Sequence, residues 1–289
     1  MLKQYTKRPI NTLLVNGIPY AYLEEGQGPL VMLLHGFPDN ALAFDKTLTV
    51  LARAGFKVIA PFLRGYYPSG LSPDGDYSVR SIAEDIFRIA EAKGYPNFFL
   101  VGHDWGALIA YTMANMEPQK VLKLITLAIP HPRAVKPGLR LFLRARHFIT
   151  FFFPRYGRWY TQRRNFAYLD YLFRYWAPNW DQPEEHRKMI KESFAKEGYL
   201  EAALGYYTSF YRDARKKEAL RLMGGKTAVP TLVIAGDADG AIDIEAFRSM
   251  DRFFTQTLKL EILAGVGHFP HQEAPETFNE KLLTFLQAR

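Results

Sequence analysis

The sequence predicts an α/β fold: a mostly parallel, doubly wound sheet with a helical lid inserted into it. Three observations carry that prediction. Short apolar runs rich in β-branched residues alternate with stretches of helical spacing, the pattern of a sheet covered by helices on both faces. Glycine- and proline-rich turns follow several of those runs. Over one long internal stretch the strand signals stop, and aromatic sequence with helical spacing replaces them.

Residues 29–34 form a short apolar run ending in His35-Gly36-Phe37-Pro38, a buried strand followed by a tight turn. A second strand is predicted at 56–60, closed by Pro61, with a glycine- and proline-rich loop over 64–75. Val79, Ile82, Ile86, Ile89 and Ala90 share one face of a helix over 78–93. Strand 97–101, helix 107–116 and strand 121–128 complete the first half. From 133 to about 228 the spacing is helical, crowded with Phe, Tyr and Trp, and broken at Pro137, Pro154, Pro178 and Pro183. Strand 230–235, helix 243–252, strand 257–263 and helix 275–286 then resume the alternation. One sheet interrupted once explains this order, so residues 1–130 and 229–289 are expected to form the core and 131–228 the lid.

With 289 residues, 48% of them hydrophobic, the chain can bury a sizeable core. It contains no cysteine, which excludes disulfides, zinc-thiolate sites and a thiol nucleophile, and fits a cytoplasmic location. No apolar run is long enough to span a bilayer, and the N-terminus carries three cations with no long apolar stretch after them. A soluble, unprocessed protein without membrane insertion is the expectation. The net charge of +8 and pI near 9.4 favour anionic partners in principle. Yet Arg155, Arg158, Arg163, Arg164 and Arg174 are scattered among aromatics without a nucleic-acid module. They read as the solvated face of a helical insert, with no nucleic-acid partner.

The chemistry concentrates at Gly102-His103-Asp104-Trp105-Gly106, where an apolar strand meets a helix through a turn with glycine at both ends. This is the form of a nucleophile elbow, with Asp104 where serine commonly stands. A carboxylate attacks carbon directly and forms an ester, so no base has to deprotonate it first. The competing reading makes Asp104 only a helix cap. His268, in the glycine-lined turn Ala264-Gly265-Val266-Gly267-His268, suits a general base that directs water at such an ester; an exposed loop histidine is the alternative. An orienting carboxylate must come from Asp237, Asp239 or Asp243: Asp239 is favoured by its place after Gly236, Asp237 follows, and Asp243 reads as a helix cap. The backbone N–H groups of Phe37 and Trp105 are the natural oxyanion donors, and His35 a brace for the first turn.

On the motifs His35-Gly36-Phe37-Pro38-Asp39 and Gly102-His103-Asp104-Trp105-Gly106, the chain resembles the α/β-hydrolase superfamily. Within it the likeness is to soluble epoxide hydrolases, the aspartate-nucleophile branch shared with haloalkane dehalogenases. The resemblance implies the α/β-hydrolase fold and ring-opening tyrosines in the lid. The aromatic lid favours a small hydrophobic substrate, the ester route needs no cofactor or metal, and a monomer or homodimer is expected. Ala203-Leu204-Gly205-Tyr206-Tyr207 is similar to the second lid-tyrosine motif and points to Tyr207. For the first lid tyrosine the sequence offers only Tyr156 and Tyr160. A haloalkane or haloacid dehalogenase with the same three residues is the alternative. It departs from those families in having Phe37 where an asparagine is usual and Trp105 where an arginine would follow the nucleophile. A non-catalytic ligand receptor on the same fold is the remaining alternative, and the absence of Gly-x-Ser-x-Gly argues against a serine esterase.

Overall fold

The computed structural model describes residues 2–136, 138 and 143–288, so Pro137 lies outside the described residues. Eight strands form one sheet: β1 (Asn11–Val15), β2 (Ile18–Glu25), β3 (Leu30–Leu34), β4 (Lys57–Pro61), β5 (Phe98–His103), β6 (Val121–Leu127), β7 (Thr231–Gly236) and β8 (Leu258–Leu263). Their order is β1-β2-β4-β3-β5-β6-β7-β8, antiparallel from β1 to β4 and parallel from β4 to β8. Every residue of β3 and β7 is buried, as expected where helices cover both faces of a parallel sheet.

The helices are α1 (Asp45–Arg53), α2 (Val79–Ala92), α3 (Trp105–Met116), α4 (Arg146–Phe152), α5 (Pro154–Trp176), α6 (Glu184–Phe194), α7 (Tyr199–Asp213), α8 (Lys217–Gly224), α9 (Ile244–Arg248), α10 (Pro270–Glu273) and α11 (Pro275–Gln287). Ser78 caps α2 by accepting from Ser81 N–H, and α2 buries the predicted stripe Val79, Ile82, Ile86, Ile89 and Ala90. Helix α3 is buried on all sides from Trp105 to Ala114, packed against β5, β6, α2 and α8.

The predicted strands recur within one or two residues, while four strands and helices outside the insert are additional: β1, β2, α1 and α10. The β1–β2 hairpin turns on Asn16 (φ 49°) and Gly17 (φ 77°), a two-residue loop whose positive φ values match the twist of the strands it joins. The helix expected over 243–252 is shorter. Asp243 caps α9, which stops at Arg248, and a 3₁₀ turn at Asp251–Phe253 follows, so that Phe247, Met250 and Phe253 all pack on Val233 and Ala235 of β7.

Between β6 and β7 the described residues hold helices α4 to α8 and no strand. Pro154 opens α5, Pro178 follows its end, and Pro183 caps α6, each where the lost N–H costs nothing. Helix α5 is broken at Arg163–Phe166, where Arg164, Asn165 and Phe166 take positive φ. Its last residue ties this segment to the sheet: Trp176 O accepts from Gly240 N at 3.2 Å and His268 N at 3.0 Å. Among the described residues no helix is long and apolar enough to cross a membrane.

Candidate functional site

Turns after four parallel strands converge at the carboxyl edge of the sheet, where open α/β sheets bind ligands: His35–Phe37 after β3, Asp104 after β5, Asp239 after β7 and His268 after β8. Asp104 has φ 50° and ψ −117°, a conformation costly for a residue with a Cβ. The glycines on either side permit it. A Cβ on Gly102 would stand 2.2 Å from Gly106 O, and one on Gly106 would stand 2.2 Å from Leu34 O, so only hydrogen fits where β5, α3 and β3 meet.

Asp104 occupies the N-cap position of α3 but makes no side-chain cap bond. Its carboxylate turns instead into the site. Oδ1 accepts from Phe37 N at 2.8 Å, and Oδ2 lies 3.5 Å from His268 Nε2. Burial alone would raise its pKa. The His268 imidazole and the Trp105 N–H outweigh that and hold it below the usual carboxylate value.

His268 is buried and pinned on every side. Its Nδ1 meets Asp239 Oδ2 at 2.8 Å, and its carbonyl accepts from His103 Nε2 at 2.8 Å. The N–H groups of Gly267 and Phe269 donate to the two oxygens of Glu273 at 2.7 and 2.8 Å, fixing the backbone on both sides of the histidine. Burial opposes charge on the ring, but Asp239 and Asp104 prevail and push its pKa up to about 10. Both neighbouring carboxylates thus favour the protonated ring.

The three aspartates after β7 separate cleanly. Asp239 is buried; its other oxygen accepts from Ala241 N at 2.6 Å and Ile242 N at 3.2 Å, and Arg144 Nη1 donates to its carbonyl at 2.6 Å. Asp237 accepts from Gly265 N, and Asp243 accepts from Glu245 N as the cap of α9. His35 braces its turn, accepting from Leu63 N at 3.0 Å through Nε2.

Above Asp104 and His268 lies a cavity of about 900 Å³ whose wall is almost entirely apolar, with Trp105, Trp176, Phe148 and Phe210 among its lining. Tyr207 and His147 also line it. The Tyr207 ring stands perpendicular to Trp105 at 4.9 Å, and its hydroxyl pKa is raised well above its ordinary value, first by burial and then by the Asp104 charge. Tyr206, its neighbour, faces elsewhere and donates to Arg64 O at 2.7 Å. Tyr156 and Tyr160, the candidates for a first lid tyrosine, line a separate cleft. Among the aromatic rings packed around Tyr207 the titratable one is instead His147, 5.8 Å from it between ring centres, buried, with Nδ1 unpartnered among the described residues and a pKa lowered by burial to about 3.

Sequence reasoning did not single out His147, Glu273, Arg144 or Trp176. All four act across long chain separations or through backbone bonds, which leave no local signature.

The model of the alpha/beta hydrolase fold family matches residues 29–275. Epoxide hydrolase A of Mycobacterium tuberculosis is 28% identical over 97% of this chain and 97% of its own length. Epoxide hydrolase 4 of Mus musculus is 26% identical, covering 94% of this chain and 77% of the mouse protein. Among solved structures, Bacillus megaterium epoxide hydrolase in complex with an inhibitor superposes with a TM-score of 0.83 at 26% identity, covering 96% of this chain and 100% of that one. With the site at the carboxyl edge and a family match over most of its length, the chain belongs to the α/β-hydrolase fold family.

Proposed function

We propose that this protein is an epoxide hydrolase that opens its substrate through an ester on Asp104. The observation that carries this reading is the pairing on one carboxylate: one oxygen on the Phe37 N–H, the other beside His268, under an apolar cavity that Tyr207 also lines. Names of the relatives agree with it.

In this reading Asp104 Oδ2 attacks an epoxide carbon and the C–O bond of the ring breaks. Tyr207 donates its proton to the leaving oxygen, and the tyrosinate so formed is reprotonated from the His268 imidazolium. Esterification has by then removed the Asp104 charge, so His268 loses one of the anions that held its proton. The neutral ring takes a proton from water, and hydroxide adds to the ester carbonyl. The oxyanion rests on the N–H groups of Phe37 and Trp105. Collapse expels the diol, which leaves with the proton of the newly formed carboxylic acid, and the aspartate and imidazolium are restored. Asp239 holds the imidazole in orientation throughout.

Residues 131–228 serve as the lid over 1–130 and 229–289. The lid's His147 supplies the second hydrogen bond to the epoxide oxygen. Burial keeps the ring neutral, and since Nδ1 is buried with no partner among the described residues, this reading puts the single N–H on Nε2. Tyr207→Phe is expected to lower kcat on an epoxide by roughly a hundredfold or more, the range of a lost general acid. His147→Phe should cost about tenfold and His147→Gln, which keeps an N–H, less. Steady-state kinetics on the three variants check this; equal rates for His147→Phe and wild type would remove His147 from the site.

The direct test is to incubate the protein with styrene oxide, a fatty-acid epoxide and a bromoalkane, measuring diol and bromide, with Asp104→Ala as the blank. Diol without bromide is the expected result. A dehalogenase is the second reading, because Trp176 keeps a buried indole N–H without a partner among the described residues beside the cavity and the Trp105 indole lies there too, donors a halide could use after a small shift. Bromide without diol would establish it.

A further inference from the structure

Six large apolar side chains lie exposed within residues 143–159: Leu143, Ile149, Phe152, Phe153, Tyr156 and Trp159, between 44% and 58% accessible. Elsewhere exposed residues of this kind stand singly, as is normal on a soluble surface. Here they recur in one short stretch, from Leu143 through α4 into the start of α5, interleaved with arginines. Residues 118–169 contain no aspartate or glutamate at all, while lysine and arginine recur through them. Among the described residues Arg158 reaches Glu201, but Arg155 and Arg164 meet no carboxylate. Beside the patch opens a cleft of about 420 Å³ lined by Arg146, Arg163 and Arg164 with Tyr156, Tyr160 and Tyr171, a mixed cationic and aromatic recess.

We infer that this face of the helical insert docks on a bilayer surface that carries anionic lipid. Aromatic and aliphatic side chains enter the headgroup boundary, arginines meet the lipid phosphates, and the cleft is sized for a headgroup. The charge selects this occupant. A second copy of the chain would bring one net cationic face against another, with Glu201 already taken by Arg158, and the two repel. A nucleic acid would satisfy the arginines but leave Leu143, Ile149, Phe152 and Phe153 without a partner. The docking is superficial and agrees with the lack of a spanning helix among the described residues.

The position gives the contact a use. Ile149 is exposed in the patch and also lines the cavity over Asp104, so a membrane-dissolved apolar molecule can pass from bilayer to cavity along α4. That consequence rests on the proposed hydrolase activity; the docking does not.

Cosedimentation of the purified full chain with phosphatidylcholine vesicles, with and without phosphatidylglycerol, tests the inference. Wild type is expected to pellet with the mixed vesicles, less so as salt rises, and not with phosphatidylcholine alone. R155Q/R164Q and F153S/W159S should each lower the partition coefficient by about tenfold or more. Both pairs are exposed and away from Asp104, so circular dichroism and diol formation in lipid-free buffer should match wild type, and a failure of docking stays separate from a failure of the hydrolase reading. No pelleting with anionic vesicles would overturn the inference. So would pelleting that both double variants leave unchanged, self-association in ultracentrifugation that F153S/W159S abolishes, or binding to a DNA duplex that only R155Q/R164Q removes.

Discussion

Replacing His268 with glutamine is expected to yield a protein that takes up one substrate molecule and stalls. Ester formation requires an ionised Asp104 and an acid for the epoxide oxygen, and neither role belongs to the imidazole ring in the proposed sequence of steps. Hydrolysis of the ester requires a base next to the ester carbonyl, and His268 Nε2, 3.5 Å from Asp104 Oδ2, is the group so placed. Losing it should lower turnover by roughly a thousandfold, within the range for general-base catalysis, while intact-mass measurement finds the protein heavier by one epoxide. The reaction is best followed at mildly alkaline pH, because Asp104 then no longer has the imidazolium that holds its pKa down. The D104N/H268Q double variant should gain no mass. An unmodified H268Q protein, incubated with an epoxide that wild type converts, would falsify the covalent route.

The same geometry explains how a histidine with a pKa near 10 can act as a base at all. While Asp104 and Asp239 both favour the protonated ring, Nε2 has no lone pair with which to take a proton from water. Esterification at Asp104 cancels one of the two charges and leaves Asp239 at 2.8 Å to hold the ring's orientation. In the proposed sequence of steps the first half-reaction thus prepares the base for the second.

The parts of this site that the sequence reveals are those whose geometry is local. Gly102 and Gly106 bracket Asp104 within one turn, and the close approach of β5, α3 and β3 that they allow is a property of that turn alone. His268 and the aspartates after β7 are legible for the same reason. Asp239 is distinguished from Asp237 only by what each meets, His268 Nδ1 in one case and Gly265 N–H in the other, and that depends on how β7 and β8 pair. Glu273 is indistinguishable in sequence from an acid in a short helix, although its two oxygens fix the backbone around His268. His147 and Arg144 reach the core from the inserted helices, and nothing in a single chain's pattern gives the angle at which such a segment folds back. The β1–β2 hairpin is a different matter. Asn16-Gly17 between alternating apolar residues is a strong local signal, and it was open to reading.

Acidification is expected to unfold this protein well above the carboxylate range. His35, His103 and His131 are buried with pKa values lowered to about 4, and His147 to about 3, in each case first by burial. His271 is likewise lowered well below its ordinary value, first by burial, with both ring nitrogens unpartnered among the described residues. The folded state keeps these rings neutral, whereas in the unfolded chain each binds a proton near pH 6.5. Their contribution is intact above about 6.5 and is lost as pH falls towards about 4. Each ring loses about 1.4 kcal/mol per pH unit, so at pH 5 the first four together cost on the order of 8 kcal/mol, comparable to the whole stability of an ordinary domain. His268 runs the other way: its raised pKa stabilises fully below about 6.5 and ceases to do so as pH climbs towards 10. Below about 6.5 that contribution is constant, so it leaves the acid-side slope unchanged. Thermal unfolding followed by circular dichroism should show Tm falling steeply between about pH 6.5 and 4.5, and a Tm that stays level down to about 4.5 would mean these rings find partners for their protons in the folded state. Asp104 stays ionised throughout that interval. The acid limb of any activity profile should consequently follow the loss of fold, and a rate that declines while the circular dichroism holds steady would point instead to a group in the site with a pKa near 6.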